Sequence, residues 1–367
     1  MIEELIQSNC IKLGSFTLKS GDISKYYFDM KNIISYPNML AKIGDEIYKK
    51  LQDFDIICGI PYGGLPIASY ISTKYNKPLI FVRDKAKNYG TQKLIEGEYD
   101  KSKKCVIIDD VITTGGSIQY NIDVLKDKVD LVEVAVIFDR QQNYNCSLPV
   151  KSYLCKNDII KYKLKKIMKE KQSKLCFSAD LNDKNKIIDI LKKIGDKIVV
   201  CKIHYDILED NDGEFKKDLI NVSIKHDFLI MEDRKFNDIS YIVEKQYSKF
   251  KNWVDLVTVH SLVSSDVINC LSGALLIGSM SNNNHDFTDI ALQHAKNNKN
   301  NVIGFITQKR IDCDDLICMT PGVSTKETND KDQKYRTSSN VDTDIIIVGR
   351  AIYNSPNIEE TISELVN

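Results

Sequence analysis

The stretch EDRKFND, Glu232 to Asp238, sets Asp233, Lys235 and Asp238 in a D-x-K-x-x-D spacing at the end of an apolar run. In an extended strand, side chains two apart share a face, which puts Asp233 beside Lys235. Upstream, KIHYDIL offers Lys202 and His204 at the same separation. Gathered in one pocket, Lys202, Asp233, Lys235 and Asp238 would alternate cation and anion, and carboxylates flanking a buried lysine keep it protonated. An acidic wall tolerates a substrate carboxylate poorly. An ammonium beside it stabilises the carbanion left when CO2 departs and then protonates it, so such a pocket can decarboxylate without a cofactor. A surface salt-bridge network would draw on the same residue types, and the spacing alone leaves both readings open.

A second chemistry is written in VIIDDVITTGGSI, Val106 to Ile118. An apolar run ends in Asp109 and Asp110, and the turn Thr113, Thr114, Gly115, Gly116, Ser117 opens a helical pattern. Glycines let backbone N–H groups close on a phosphate, the helix start adds positive potential, and the hydroxyls can donate further. Two adjacent carboxylates suit the two hydroxyls of a ribose. The bland alternative is a capped helix after a strand.

The elements that must carry these residues are legible as alternating strands and helices. After residue 174 there are eight strand candidates: 175–181, 198–204, 228–233, 256–260, 275–280, 302–306, 316–320 and 344–348. Amphipathic patterns fill most gaps, as at 184–194, 214–226, 241–250 and 287–296. Eight such units are the arithmetic of a (β/α)8 TIM barrel. Asp180, Lys202, His204, Asp233, His260, Ser281, Pro321 and Arg350 fall near strand C-termini, where such barrels keep their chemistry. The first half gives strand candidates at 56–60, 79–82, 105–109, 131–138 and 150–154, with helices near 38–51, 65–75 and 117–126. That pattern implies an open parallel α/β sheet with ligands at the strand C-termini. The expected division is a first domain over 1–155, a basic connecting helix over 156–174 with apolar positions at Ile159, Ile160, Leu164, Ile167 and Met168, and a barrel over 175–367. The polar stretch 324–334 reads as a lid.

The Val106–Ile118 run resembles the phosphoribosyl-diphosphate motif of type I phosphoribosyltransferases. FTLKSG with YYFDMK, the CGIPYGGLPIA loop, RDKAKNYGTQKLIEG and FDRQQ narrow the resemblance to orotate phosphoribosyltransferases. It implies that Lys19, Gly63, Gly64, Arg83, Lys87 and Tyr89 join the Asp109–Ser117 run around phosphoribosyl diphosphate. Lys19, Phe28 and Arg140 would meet orotate, with Arg140 at its carboxylate. Lys87, on a loop often lent by the neighbouring subunit, would neutralise the departing pyrophosphate, and Mg2+ would arrive on substrate oxygens. Asp84 follows Arg83 where that family usually carries a second lysine.

LCFSADLND, KIHYDIL, EDRKFND, MSNN, MTPGVS, DQKYRT and DIIIVGRAI run in order through the second half and resemble orotidine 5′-phosphate (OMP) decarboxylases. The resemblance implies that Asp180 and Lys202 hold the nucleotide's ribose, with His204 among the residues that bind OMP. Ser281 and Pro321 would meet the pyrimidine, and Gln333, Tyr335, Gly349 and Arg350 the phosphate. Asp238 would cross a dimer interface. Ile242 stands where the family usually offers a threonine. A transferase followed by a decarboxylase is the order of the bifunctional UMP synthases, so the expectation is pyrimidine nucleotide synthesis, from orotate through OMP to UMP, by a homodimer with shared sites.

Lys+Arg and Asp+Glu both number 51, which gives no global attraction to nucleic acid or an anionic membrane. No apolar run approaches a membrane span, and the N-terminus lacks a secretory pattern. Ten cysteines without a C-x-x-C pair, several within strand-like runs, read as reduced core thiols and point to the cytosol. Two rivals stay open: a sugar-phosphate decarboxylase or aldolase of the same barrel group using a metal at D-x-K-x-x-D, and a non-catalytic nucleotide-binding dimer.

Overall fold

The computed structural model describes residues 1–18, 21, 23–83, 93–141, 144, 146–209, 213–281, 285–313, 315–329 and 334–366, with 328 and 329 described by their backbone alone. Chain contacts divide it into two compact units, Met1–Leu13 with Tyr26–Lys156, and Gly14–Lys25 with Asn157–Asn367.

The chain opens with α1 (Ile2–Gln7) and a two-stranded sheet of β1 (Ile11–Thr17) and β2 (Ile23–Phe28), a pair the sequence pattern did not reveal. Then come α2 (Pro37–Lys50), β3 (Ile56–Gly59), α3 (Gly64–Tyr75), β4 (Leu79–Val82), β5 (Ile95–Glu96), β6 (Lys104–Ile112), α4 (Gly116–Leu125), β7 (Asp130–Asp139) and β8 (Val150–Cys155). Six of these strands form one sheet in the order β5-β4-β3-β6-β7-β8. It is parallel except at the edge, where β5 runs antiparallel to β4, so the expected all-parallel sheet carries one reversed strand. The interior strands read as continuous apolar runs because both faces are covered: all four residues of β3 are buried. Pro37 starts α2 at a position where its missing N–H costs nothing, and Asn76 ends α3 in the left-handed conformation.

In the second unit α5 (Lys156–Lys171) precedes a closed barrel. Its strands are β9 (Leu175–Ser178), β10 (Val200–Ile203), β11 (Leu229–Phe236), β12 (Leu256–His260), β13 (Ala274–Ile277), β14 (Val302–Ile306) and β15 (Ile317–Pro321). Three short strands follow, β16 (Val323–Ser324), β17 (Thr328–Asn329) and β18 (Lys334–Thr337), before β19 (Ile345–Val348) closes the ring against β9. Every neighbouring barrel pair is parallel, as eight strand–helix units require. Alternate residues face alternate layers. Phe177, Cys201, Ile230, Val257 and Leu276 pack outward with the surrounding helices, while Val200, Met231, Leu256, Leu275 and Ile345 fill the barrel.

The floor of that interior is α5. Ile160, Leu164 and Ile167 belong to the same cluster as the inward-facing strand residues. At its end Lys171 donates to the carbonyls of Gly195, Ile198 and His226. The ring outside the strands is α6 (Lys184–Ile194), α7 (Gly213–Lys225), α8 (Ser240–Tyr247), α9 (Ser265–Asn269), α10 (Thr288–Asn297), α11 (Arg350–Tyr353) and α12 (Ile358–Val366). Asp183 caps α6 through the amides of Asn185 and Lys186. Where it is described, the expected lid touches three short strands, with 330–333 outside the described residues: β18 runs parallel to β16 and antiparallel to β17. Among the described residues no helix is long and apolar enough to cross a membrane.

Candidate active sites

Above the apolar fill of the barrel, the same inward positions turn polar. Lys202 lies two residues beyond Val200, and Asp233 two beyond Met231, so the strand period delivers both to the C-terminal mouth. Lys202 Nζ donates to Asp180 Oδ1 at 2.8 Å and Asp233 Oδ2 at 2.9 Å, with His204 Nε2 at 3.1 Å. Lys235 Nζ lies 2.9 Å from the same Asp233 oxygen. The result is an unbroken chain, Asp180–Lys202–Asp233–Lys235, alternating in sign.

Lys235 does not reach this place by regular strand geometry. Its φ is 50°, in the left-handed region, and the pairing of β11 with β12 shifts register between Glu232 and Phe236. Thr258 fixes the bulge: its Oγ1 accepts the Lys235 amide at 2.9 Å and donates to Asp233 Oδ1 at 2.8 Å. Burial works against charge at Asp233, yet Lys202 and Lys235 hold its carboxyl far below the usual carboxylate range. Burial likewise opposes the Lys202 ammonium, and Asp233 with Asp180 raise it well above its ordinary value. His204 is lowered by burial and by Lys202, so it is neutral at pH 7 and its Nε2 accepts from the ammonium. All three Lys202 protons are thereby committed.

This chain forms one wall of a cavity of about 270 Å³. Opposite stand Met280 and Ser281 after β13, Pro321 and Gly322 at the end of β15, Tyr335 on β18, and Gly349 and Arg350 after β19. A Cβ at Gly349 would stand 3.1 Å from the Ser178 carbonyl oxygen, so the bare backbone lets that loop close on β9. Ser178 Oγ in turn donates to Asp180 Oδ2 at 2.8 Å.

In the first unit the DD run ends β6. Asp109 is buried; its carboxylate accepts Ser117 Oγ at 2.9 Å and the Asp110 amide at 2.8 Å. Burial, with Asp110 adjacent, raises the Asp109 carboxyl to about 7. Gly63 and Gly64 follow β3 alongside. A Cβ at Gly63 would sit 2.1 Å from Asp110 Cγ, and one at Gly64 would sit 2.1 Å from the Ile108 carbonyl oxygen. Only glycine lets this loop lie against the acids. Gly115 takes φ 78° to start α4, with Thr113 half-buried and Thr114 exposed beside it. At the end of β7, Phe28 stacks on Phe138 at 4.1 Å between ring centroids, and Arg140 lies 5.4 Å from the Phe28 ring centre. Burial lowers the Arg140 guanidinium, and no carboxylate pairs with it among the described residues.

Models of two families divide the chain: the orotidine 5′-phosphate decarboxylase / HUMPS family matches residues 173–365, and the phosphoribosyl transferase domain matches 29–161. A uridine 5′-monophosphate synthase of Naegleria gruberi is 30% identical, with 96% of this chain and 92% of that protein aligned. The chain belongs to the uridine 5′-monophosphate synthase family. Another member, from Bos taurus, is 29% identical across 97% of this chain and 93% of its own length. The orotate phosphoribosyltransferase of Pyrococcus horikoshii is 40% identical over 39% of this chain and 79% of its own.

Seen against that membership, the cavity collects Asp180, Lys202, His204, Asp233, Lys235, Ser281, Pro321, Tyr335, Gly349 and Arg350. Two residues grouped with them in the sequence lie elsewhere in this chain. Asp238 is exposed, and its Oδ1 accepts the Ile239 amide. His260 edges onto the Phe287 ring at 4.9 Å and does not line the cavity, because it ends β12 beyond the inward Thr258. In the first unit Arg83 pairs with Glu96 at 2.7 Å beside the β4–β5 pairing. Lys19, Lys87, Tyr89 and Gln333 lie outside the described residues. Thr258 and Ser178 were missed by sequence reasoning; their one signal was position, a hydroxyl on an inward face near a strand end.

Proposed function

We propose that the cavity at the barrel mouth binds OMP and releases its carboxylate as CO2, and that the first unit makes OMP from orotate and phosphoribosyl diphosphate. The chain thus makes UMP from orotate. The observation that carries the decarboxylase reading is the Asp180–Lys202–Asp233–Lys235 chain, in which each charge is held ionised by its neighbours.

In this reading Asp180, Lys202 and His204 hold the ribose, while Ser281 and Pro321 meet the pyrimidine. Gln333, Tyr335, Gly349 and Arg350 grip the phosphate. Asp233 stands where the substrate carboxylate is least welcome. When the C–C bond breaks, its electron pair stays on the ring carbon, and Lys235 stabilises it and delivers the proton. Lys202 cannot serve as that acid, since its three protons are engaged. Asp238 comes from the second copy of a homodimer.

In the first unit, Phe28 and Arg140 receive orotate, the guanidinium facing its carboxylate. The Asp109–Asp110 pair takes the ribose hydroxyls, and the turn from Thr113 to Ser117 takes the 5′-phosphate. Gly63, Gly64, Lys19, Arg83, Lys87 and Tyr89 serve the pyrophosphate side. A buried acid pair fits hydroxyl groups and hydrated Mg2+; Asp109 and Asp110 would face such an ion, which would supply positive charge for the leaving pyrophosphate.

The test is to incubate the protein with orotate, phosphoribosyl diphosphate and Mg2+ and assay UMP. In parallel, loss of OMP absorbance is followed in excess chelator. UMP should form, and the chelator should leave decarboxylation of added OMP intact. Lys235→Ala should stop at OMP. A chelator-sensitive decarboxylation, or equal loss of both steps in Lys235→Ala, refutes the assignment.

A further inference from the structure

Gln308 follows β14 and does not itself line the cavity, yet four bonds converge on it. Its amide donates to Ser279 Oγ at 2.7 Å. Its side-chain Nε2 donates to the Pro321 carbonyl oxygen at 3.0 Å. Arg336 Nη2 donates to both Gln308 Oε1, at 2.8 Å, and the Gln308 carbonyl oxygen, at 3.2 Å. Arg336 also anchors the lid strand through its own amide, which donates to the Gly322 carbonyl oxygen at 2.9 Å.

Each partner lines the cavity or lies within two residues of one that does. Ser279 lies two residues before Ser281, Pro321 lines the cavity itself, and Arg336 follows Tyr335. The side-chain amide therefore joins the wall at the end of β15 to the strand that carries Tyr335, while the backbone amide of the same residue ties in the loop after β13. The side chain offers a donor to the wall and an acceptor to the strand in fixed relative geometry.

We propose that Gln308 is a positioning residue for decarboxylation, coupling the grip on the nucleotide phosphate at Tyr335 to the placement of the pyrimidine against Pro321 and Ser281. The proposal rests on the decarboxylase reading above. Binding energy from a remote, unreacting group raises the rate only if something transmits it to the reacting centre. The Gln308 amide is that connection: a lid strand drawn in on the phosphate can move relative to Pro321 only by breaking the Arg336–Gln308–Pro321 run of bonds. Gln308 touches no reacting atom and holds no proton in the reaction.

The experiment compares OMP with orotidine, the same nucleoside without its phosphate, in the wild type and in Gln308→Ala. A misplacement of about an ångström costs on the order of 10- to 100-fold, so kcat/KM for OMP should fall by roughly that factor. Orotidine cannot engage the lid and should lose about threefold or less. Phosphoribosyl transfer by the same variant should be unchanged and measures total protein, while fluorescence of the buried Trp253 is the control for folding of the barrel. Arg336→Ala, which spares the bonds from Gln308 to Ser279 and Pro321, should show the same selective loss, and the double variant should be no worse than the poorer single one, since both cut one connection. If Gln308→Ala cannot fold, Arg336→Ala alone carries the comparison. Equal losses on the two substrates, or none, overturn the proposal while leaving the decarboxylase reading intact. A wild type that leaves OMP untouched overturns both.

Discussion

Glu232 and Asp233 are adjacent on β11 and meet opposite environments. Asp233 turns inward to two lysines. Glu232 is fully buried; its Oε2 accepts the Tyr205 amide at 3.0 Å, and its Oε1 has no hydrogen-bond partner among the described residues. Burial raises its carboxyl to about 8, from an ordinary value of 4.5, with Asp206 and Asp233 adding to the rise and Arg234 opposing it. Below pH 4.5 both folded and unfolded chains carry the proton, and the group costs nothing. As pH climbs toward 8 the unfolded chain ionises while the folded one does not, so stability falls by about 1.4 kcal/mol per pH unit from this group. Above 8 the deficit is constant. Glu232→Gln keeps an acceptor for Tyr205 and cannot ionise, and its amide nitrogen adds a pH-independent cost. The expected result is a urea midpoint that drops less between pH 5.5 and 8 in the variant than in the wild type. Trp253, the protein's one tryptophan and buried in the barrel, reports that unfolding specifically. An unchanged pH slope would refute the assignment of the titration to Glu232.

At the scale of elements, α5 shows how a sequence can give a helix and hide its purpose. Its apolar positions were visible, as was its basic face, and together they read as a connector. The structure buries Ile159, Ile160, Leu164 and Ile167, three of them inside the barrel's inner cluster. Leu164→Ala should therefore destabilise the barrel by about 2–5 kcal/mol, as buried leucine truncations do. It should lower the Trp253 unfolding midpoint with little effect on decarboxylation at room temperature; a midpoint within error of wild type would mean the helix is not part of the fold's floor. The barrel strands and the sheet strands β3, β4, β6, β7 and β8 were legible to within a few residues because each is a short apolar run bounded by polar turns, whereas β1, β2 and the short strands β16 to β18 were not. The edge strand β5 was not, since two residues carry no periodicity. The meeting of Asp233 with Lys235 was foreseen for a simpler reason than the one at work. A two-residue period predicts it in a flat strand, whereas the structure obtains it from a bulge held by Thr258, a tertiary contact that no local pattern encodes. Gln308 was silent for the same reason: its four bonds reach Ser279, Pro321 and Arg336, all remote in sequence.

The whole molecule, taken as one copy, leaves its decarboxylase cavity without Asp238. That side chain is exposed, and Ile239 and Tyr241 close to it in sequence are 66% and 63% exposed, apolar side chains suited to a second copy. If each cavity takes Asp238 from its partner, Lys235→Ala and Asp238→Ala should each be inactive in decarboxylation yet complement one another. In a mixed dimer, one cavity collects both defects and the other neither. Random reassortment makes half the dimers mixed with one sound cavity in each, so about a quarter of wild-type activity should return. The two variants are co-expressed, or exchanged by dilution and reconcentration, and assayed for OMP loss, with phosphoribosyl transfer as the measure of total protein. A mixture as inactive as its parents would place Asp238 and Lys235 of the same chain in one cavity. The exposed surface after β11 would then owe its apolar character to something other than a shared site.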